Sequence, residues 1–285
     1  MKKIEALGHT VVFLQKESGS IEEPETYDGV ICNGLFLHHD IAAFTKLRYI
    51  QLTSAGVDRV PIEYVKQHNI VIHNARGVYS VPMAEFAVCG VLQLYKQSQF
   101  FMQKQETHQW EKHRGLMELY GKTVCVVGCG SVGDECAKRF AAFGCCVFGV
   151  DIAPSKKAEY EKIYPIRQMG EVLIQSDVVV LTLPLTQETY HLFDEACFAK
   201  MKEATVLVNI ARGAIVDTKA LIAALKDKLF GAVLDVFEEE PLPPDSSLWD
   251  MDNVIFTPHN SFVGEGNAER LFAVIYENLK EFEEL

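Results

Sequence analysis

The sequence predicts an α/β protein: a doubly wound parallel sheet joined to a second, smaller α/β domain. Three observations lead there. From Gly121 onward, short runs rich in Val and Ile alternate with longer helical patterns. Those runs are continuously apolar rather than alternating, which indicates burial on both faces. A glycine-rich turn stands between the first run and the first helical pattern. The 285 residues leave room for about two domains, and a hydrophobic content of 48% suffices for a sizeable core.

In chain order, residues 9–14 (HTVVFL), 29–33 (GVICN), 49–52 (YIQL) and 70–73 (IVIH) read as the short strands of the smaller domain. Residues 81–105 read as one long helix, with Pro82 suited to its first turn. Its apolar positions, among them Phe86, Val88, Leu92 and Phe101, cover more of its circumference than one domain needs. The segment is either a connector that also buries a partner subunit or a fully internal helix. Strands follow at 123–128 (TVCVVG), 145–151 (CCVFGVD), 178–184 (VVVLTLP), 205–211 (TVLVNIA), 231–237 (GAVLDVF) and 253–259 (NVIFTPH). Helical patterns at 132–143 and 218–228 fall between them, and 265–285 is a terminal amphipathic helix. The division expected is 1–81 plus 262–285 for the smaller, substrate (catalytic) domain and 82–261 for a nucleotide-binding domain.

The formal charge of −12 argues against a nucleic-acid surface, since phosphate binding needs clustered Lys and Arg. No apolar run approaches the ~18 residues of a membrane span, and no leader pattern follows Met1. Eight cysteines without a CxxC pair lie mostly in apolar strands and helices. There Cys acts as a small hydrophobe, which fits a reducing cytoplasm and neither disulfides nor zinc. No metal-ligand cluster is visible, and the adjacent His38 and His39 stand unaccompanied.

Gly128-Cys129-Gly130-Ser131-Val132-Gly133 is a GxGxxG that follows a strand and opens a helix, the context of a Rossmann dinucleotide site. The first Gly permits the tight turn, the second lets backbone approach a pyrophosphate, and the third lets helix and strand pack closely. The Ser131 and Val132 amides would meet phosphate at the helix N-terminus. Asp151 closes the next strand, about 20 residues on, where a carboxylate accepts from ribose hydroxyls and repels a 2′-phosphate. Ile152-Ala153-Pro154 offer no Arg, so NAD is expected over NADP.

Ligands of open parallel sheets bind beyond the carboxyl ends of the strands. Arg212, Glu240 and His259 each lie just past such an end. Reduction of a 2-oxo acid by NADH develops negative charge on the carbonyl oxygen, and a protonated His259 can donate to it. Glu240 on the other ring nitrogen would favour the imidazolium. Arg212 would present a planar charged fork to the substrate. In the run VLDVFEEEPLPP, Glu240 is therefore the functional acid, with Glu238 and Glu239 solvated.

With these residues in place, LYGKTVCVVGCGSVG, TLPLTQET, LVNIARGAIVD, GAVLDVFEEEPLP and NVIFTPH resemble, in order, the motifs of the D-isomer-specific 2-hydroxyacid dehydrogenase family. The resemblance runs from about Asp28 to the C-terminus. It implies that Arg212, Glu240 and His259 form an Arg–Glu–His catalytic set and that Asp235 holds the nicotinamide carboxamide. It implies that Leu183, Ile210 and Ala211 line the cofactor, with the backbone of Asn260 and Ser261 nearby and Arg212 and His259 also at it. The loop Ser54-Ala55-Gly56-Val57-Asp58 matches the family's substrate loop, whose amides near Ala55 and Gly56 receive the substrate carboxylate. The smaller domain would be flavodoxin-like and shortened at its N-terminus, since Met1 falls near the end of the family's first helix. A homodimer through the NAD-binding domain and helix 82–105 is implied.

The expected function is an NAD-dependent, D-specific 2-oxoacid reductase or 2-hydroxyacid dehydrogenase. The alternative is an NADH-sensing interaction module of the corepressor kind, with weak or no turnover. Formate oxidation is disfavoured, because that branch carries Gln where Glu240 stands. Leu35 and Phe36, with Trp249, Tyr79 and Ser80, are the candidate pocket residues for the substrate side chain.

Overall fold

In the computed structural model, residues 2–283 are described. Met1 and residues 284–285, which the expectations above include, lie outside them. The chain divides into two compact units, one of residues 1–79 plus 264–285 and one of residues 80–263. The junctions fall two residues from the expected 81/82 and 261/262.

The smaller unit carries three parallel strands, β1 (Gly29–Cys32), β2 (Tyr49–Leu52) and β3 (Val71–His73), in the order β1-β2-β3. One face buries Cys32, Ile50, Leu52 and Val65. The other buries Tyr49 with Ile275 and Leu279 of the C-terminal helix Asn267–Glu283. Gln51, fully buried on β2, accepts from both Tyr49 Oη (3.0 Å) and Asn278 Nδ2 (2.8 Å), which fixes that helix to the sheet.

Residues 9–14 form no strand, contrary to the expectation. Val12 and Phe13 are 64% and 75% exposed, and among the described residues no strand pairs with this segment. Apolar composition supplies a strand's faces, but a ladder also needs a neighbour for its amides.

The larger unit is a seven-stranded, all-parallel sheet. Its strands are β4 (Thr123–Val127), β5 (Cys146–Asp151), β6 (Lys162–Pro165), β7 (Val178–Leu181), β8 (Val206–Asn209), β9 (Gly231–Leu234) and β10 (Val254–Phe256), in the order β10-β9-β8-β7-β4-β5-β6. β7, β8 and β9 are buried at every position, as their unbroken apolar runs require. Alternate residues of β4 serve opposite faces: Cys125 and Val127 face one core, Val124 and Val126 the other. Chain order reverses at β4, whose neighbours are β5 and β7. The crevice past the ends of β4 and β7 is therefore the ligand position of a doubly wound sheet.

Two features of the larger unit differ from expectation. β6 has too few apolar residues to read as a strand and pairs with β5 at the sheet edge. Residues 81–105 form two helices, Ser80–Tyr95 and Ser98–Glu106, broken by Gln97 in the left-handed region (φ 54°). The break has a tertiary cause: the Tyr95 carbonyl accepts from the Met117 amide (3.0 Å), and Lys96 Nζ donates to the Met117 carbonyl (2.7 Å). Gly90 lets the first helix sit against β9, since a Cβ there would lie 2.3 Å from Val233 Cγ1.

Candidate active site

The glycine turn leaves β4 at the crevice. Gly128 has φ +98°, and a Cβ on it would come within 2.7 Å of the Leu183 backbone nitrogen. Glycine is required there on both counts. A Cβ at Gly133 would meet the Gly128 carbonyl oxygen at 2.1 Å, so the third glycine lets the Ser131–Ala142 helix close on the turn. A Cβ at Gly130 would meet nothing within 4 Å. The second glycine thus faces open space, at a helix N-terminus that no side chain caps. Open space, uncapped amides and a carboxylate at the next strand end are what a dinucleotide needs, and these residues fit one.

Asp151 accepts from the Cys129 amide (2.8 Å) and the Ala153 amide (2.9 Å), which orients its carboxylate at the turn. Leu183 lies against the Gly128 backbone. Ala211 and Ile210 are buried, and Ile210 belongs to the core beneath the sheet, so lining a cofactor there falls to its backbone.

β8, β9 and β10 are adjacent, and their ends carry Arg212, Glu240 and His259. His259 Nδ1 lies 2.9 Å from Glu240 Oε2, and Glu240 Oε1 accepts from the Phe237 amide (3.0 Å). Arg212 Nη1 donates to the Ala211 carbonyl (2.8 Å), while Asn209 Nδ2 donates to the Arg212 carbonyl (3.2 Å). The Arg212 and Glu240 loops touch through Gly213: a Cβ there would lie 1.9 Å from the Phe237 carbonyl carbon and oxygen.

His259 has φ +52°, a conformation uncommon for a non-glycine residue and one that its surroundings here support. Asp235 does so. Its carbonyl accepts from the His259 amide (2.8 Å). Its buried carboxylate accepts from Thr257 Oγ1 and the Asn260 and Ser261 amides on Oδ1, and from Ser261 Oγ on Oδ2. Three of the four donors converge on Oδ1 and one meets Oδ2, which retains acceptor capacity. Asp235 thus anchors the histidine turn mainly through Oδ1.

Glu238 corrects an expectation, for it is not merely solvated. One oxygen meets His191 Nε2 (2.6 Å) and the other accepts from the Thr218 amide (2.8 Å). It ties the loops after β7, β8 and β9 together. Burial works to raise its pKa, but the bonds from Thr218 and His191 outweigh it and hold Glu238 below the ordinary 4.5. A carboxylate depressed in the folded state stabilises above its unfolded pKa and loses that contribution as pH falls through the folded value. Glu238→Gln is therefore expected to lose less stability on acidification from neutral pH to below about 4.5. Urea midpoints at both ends check this, and equal losses in the two proteins would exclude the linkage. No local pattern marks the partners, which lie 47 and 20 residues from Glu238.

In the smaller unit, Asn74 Nδ2 donates to the Ala55 carbonyl (2.7 Å) and Ser54 Oγ to the Gly56 carbonyl (2.9 Å), which shapes the loop and engages these oxygens. Leu35 belongs to the core, and Phe36 packs edge-on against Phe44, so packing accounts for both. Tyr79 Oη donates to the Thr53 carbonyl, and Ser80 is buried. Trp249 is half-exposed and donates Nε1 to the Pro243 carbonyl (2.9 Å). His39 Nε2 pairs with the Glu17 carbonyl (2.8 Å). Among the described residues, no group of three or more His, Cys, Asp or Glu could hold a metal, and no helix is long and apolar enough to cross a membrane. Burial pushes the Cys129, Cys136 and Cys197 thiols up to about 12, so they are inert side chains of the core.

Residues 88–261 match the family model described as D-isomer specific 2-hydroxyacid dehydrogenase, NAD binding domain. The chain is 34% identical over 238 residues to a D-3-phosphoglycerate dehydrogenase of Methanocaldococcus jannaschii, covering 82% of this chain and 45% of that protein. It is 37% identical over 226 residues to a glyoxylate reductase of Thermofilum pendens, covering 76% of this chain and 66% of the relative. The matched region thus spans less than two thirds of either relative. The crystal structure of D-lactate dehydrogenase from Aquifex aeolicus, complexed with NAD and lactic acid, superposes with a TM-score of 0.77 at 26% identity, covering 92% of this chain and 84% of that one.

Proposed function

The chain belongs to the D-isomer-specific 2-hydroxyacid dehydrogenase family and carries its NAD-binding domain, and from that premise we propose that it is an NAD-dependent oxidoreductase acting on a small 2-oxo or 2-hydroxy acid with D stereochemistry. The observation that carries the proposal is the 2.9 Å contact between Glu240 and His259, at the carboxyl end of the parallel sheet that also carries the glycine turn. The relatives' names, glyoxylate reductase and D-3-phosphoglycerate dehydrogenase, support the substrate class.

When bound, the nicotinamide supplies or accepts the hydride. His259 holds the proton. Glu240 takes Nδ1, which leaves Nε2 as the nitrogen that gives a proton to the substrate oxygen in reduction and takes it back in oxidation. Glu240 balances the imidazolium in the reduction ground state, and the Phe237 amide keeps that carboxylate in place. Arg212 places a permanent positive charge for the carboxylate or the developing alkoxide. Asp235 keeps the histidine turn in its positive-φ conformation. Gly128, Gly130, Ser131, Val132, Gly133 and Asp151 are the proposed dinucleotide residues, with Leu183, Ile210, Ala211, Asp235, Asn260 and Ser261 alongside. The Ala55 and Gly56 amides are the proposed receptors of the substrate carboxylate.

The division of labour proposed is a substrate domain of 1–81 plus 262–285 and an NAD-binding domain of 82–261. A homodimer through the NAD-binding domain and the 82–105 segment, which here forms the Ser80–Tyr95 and Ser98–Glu106 helices, is proposed as well. Support comes from an apolar groove lined by Val88, Cys89, Leu92 and Phe143, with Glu85 and Arg139 paired at its rim. Eight unpaired cysteines suit a reducing cytoplasm. NADH oxidation screened across glyoxylate, pyruvate, hydroxypyruvate, phenylpyruvate and branched 2-oxo acids tests the proposal. Turnover to a D-hydroxy product is expected with at least one, and tight NADH binding with no turnover on any would overturn it.

A further inference from the structure

The residue between the first two glycines of the turn is held from both sides. The Cys129 amide donates to Asp151 Oδ2 (2.8 Å), and the Cys129 carbonyl accepts from Lys157 Nζ (2.5 Å). Lys157 lies six residues beyond Asp151, in the segment leaving β5. Its ammonium is therefore at the same end of the turn as the carboxylate proposed to receive the adenosine ribose. That is where a cofactor with a 2′-phosphate would need a cation.

Lys157 has nothing left to offer such a phosphate. Nζ also donates to Asp134 Oδ1 (2.9 Å) and Oδ2 (2.7 Å), so its three donors meet three acceptors. Asp134 is in turn steadied by Tyr160 Oη (3.2 Å) and stands in the first turn of the Ser131–Ala142 helix. Two carboxylates against one ammonium leave this end of the turn net negative. The other cation of the segment, Lys156, is exposed, with its side chain in solvent.

We propose that Asp134 is a cofactor-selectivity residue: by engaging Lys157 it withholds the one ammonium positioned to receive a 2′-phosphate, so rejection of NADP rests on Asp134 and Lys157 together with Asp151. The proposal depends on the dinucleotide reading of the turn and extends it to a residue outside the glycine fingerprint. Removing Asp151 alone takes away repulsion and leaves Lys157 engaged. Removing Asp134 as well frees two of the three Lys157 donors beside the ribose position, the third staying on the Cys129 carbonyl.

Dissociation constants of NADH and NADPH, measured by fluorescence titration on the full chain, test this without turnover. The readout is the ratio of the two constants, which cancels any general loosening of the turn. Asp151→Ser alone is expected to move the ratio toward NADPH only slightly. Adding Asp134→Ser is expected to move it by a further ~10-fold or more, the worth of a charge-assisted hydrogen bond. Lys157→Met in that double background is expected to abolish the further gain. If Asp134→Ser fails to fold, Asp134→Asn keeps the shape, loses the charge and should move the ratio in the same direction. A ratio unchanged by removing Asp134, or a gain that survives Lys157→Met, overturns the proposal. Failure of the unaltered protein to bind either dinucleotide overturns the dinucleotide reading itself, and the proposal with it.

Discussion

His259→Ala is expected to lower turnover by ~10²–10⁴-fold, the usual contribution of a positioned general acid–base, while NADH still binds. The imidazole is the group that pairs with Glu240 at the rim of the sheet, 2.9 Å away, and Ala offers no proton in its place. Glu240→Gln should fall between the wild type and His259→Ala. Gln preserves the shape and an acceptor for the Phe237 amide but no longer balances an imidazolium. Steady-state kinetics beside NADH titration separate the two effects. Unchanged turnover in His259→Ala would remove His259 from the chemistry.

Gly213→Ala is the second large effect expected. The added Cβ would lie 1.9 Å from the Phe237 carbonyl carbon and oxygen and 2.4 Å from the Glu238 amide nitrogen. These are backbone atoms, so no rotamer change relieves the overlap and the two loops must part. Overpacking of this kind costs about 1–3 kcal/mol or more. Parting the loops also displaces Arg212 from Glu240, so turnover should fall along with stability. Gly130→Ala is the contrast. Its Cβ meets open space, so stability should change by no more than about 0.5 kcal/mol, while NADH affinity drops because the methyl occupies the approach to the pyrophosphate. Urea unfolding and NADH titration of both variants report the difference. A Gly213→Ala protein as stable and active as the wild type would contradict the close approach of the two loops.

How much of this was legible in the sequence follows from where each determinant sits. β7, β8 and β9 are buried on both faces, so their apolar runs carried the fold without ambiguity. The glycine turn was equally plain, because its three glycines answer three local demands. Residues 9–14 misled because HTVVFL has the composition of a strand, and composition does not reveal whether a neighbouring strand exists. The break at Gln97 was hidden for a similar reason: no Gly or Pro marks it, and its cause is the Met117 backbone 20 residues further on.

Within the site, residues just past strand ends could be found by position alone, which is how Arg212, Glu240 and His259 stood out. Residues that act through distant partners could not. Glu238 looked like the solvated half of an acidic run, and only the fold brings His191 and Thr218 to it. Asp134 and Lys157 are 23 residues apart and meet across the glycine turn, with no spacing that announces the pair. Asp235 stood out only as a ligand contact, and its second task, holding the turn around His259 through four donors, depends on residues that the fold brings to it.

The most direct test is a crystal structure of the chain with NADH and oxamate, an unreactive 2-oxo acid analogue. The expected result is His259 Nε2 within about 2.6–3.2 Å of the oxygen of oxamate that stands for the substrate carbonyl, with Nδ1 still on Glu240 and the nicotinamide against the same carbonyl carbon. An imidazole turned away from the analogue, or parted from Glu240 while both ligands are bound, would contradict it.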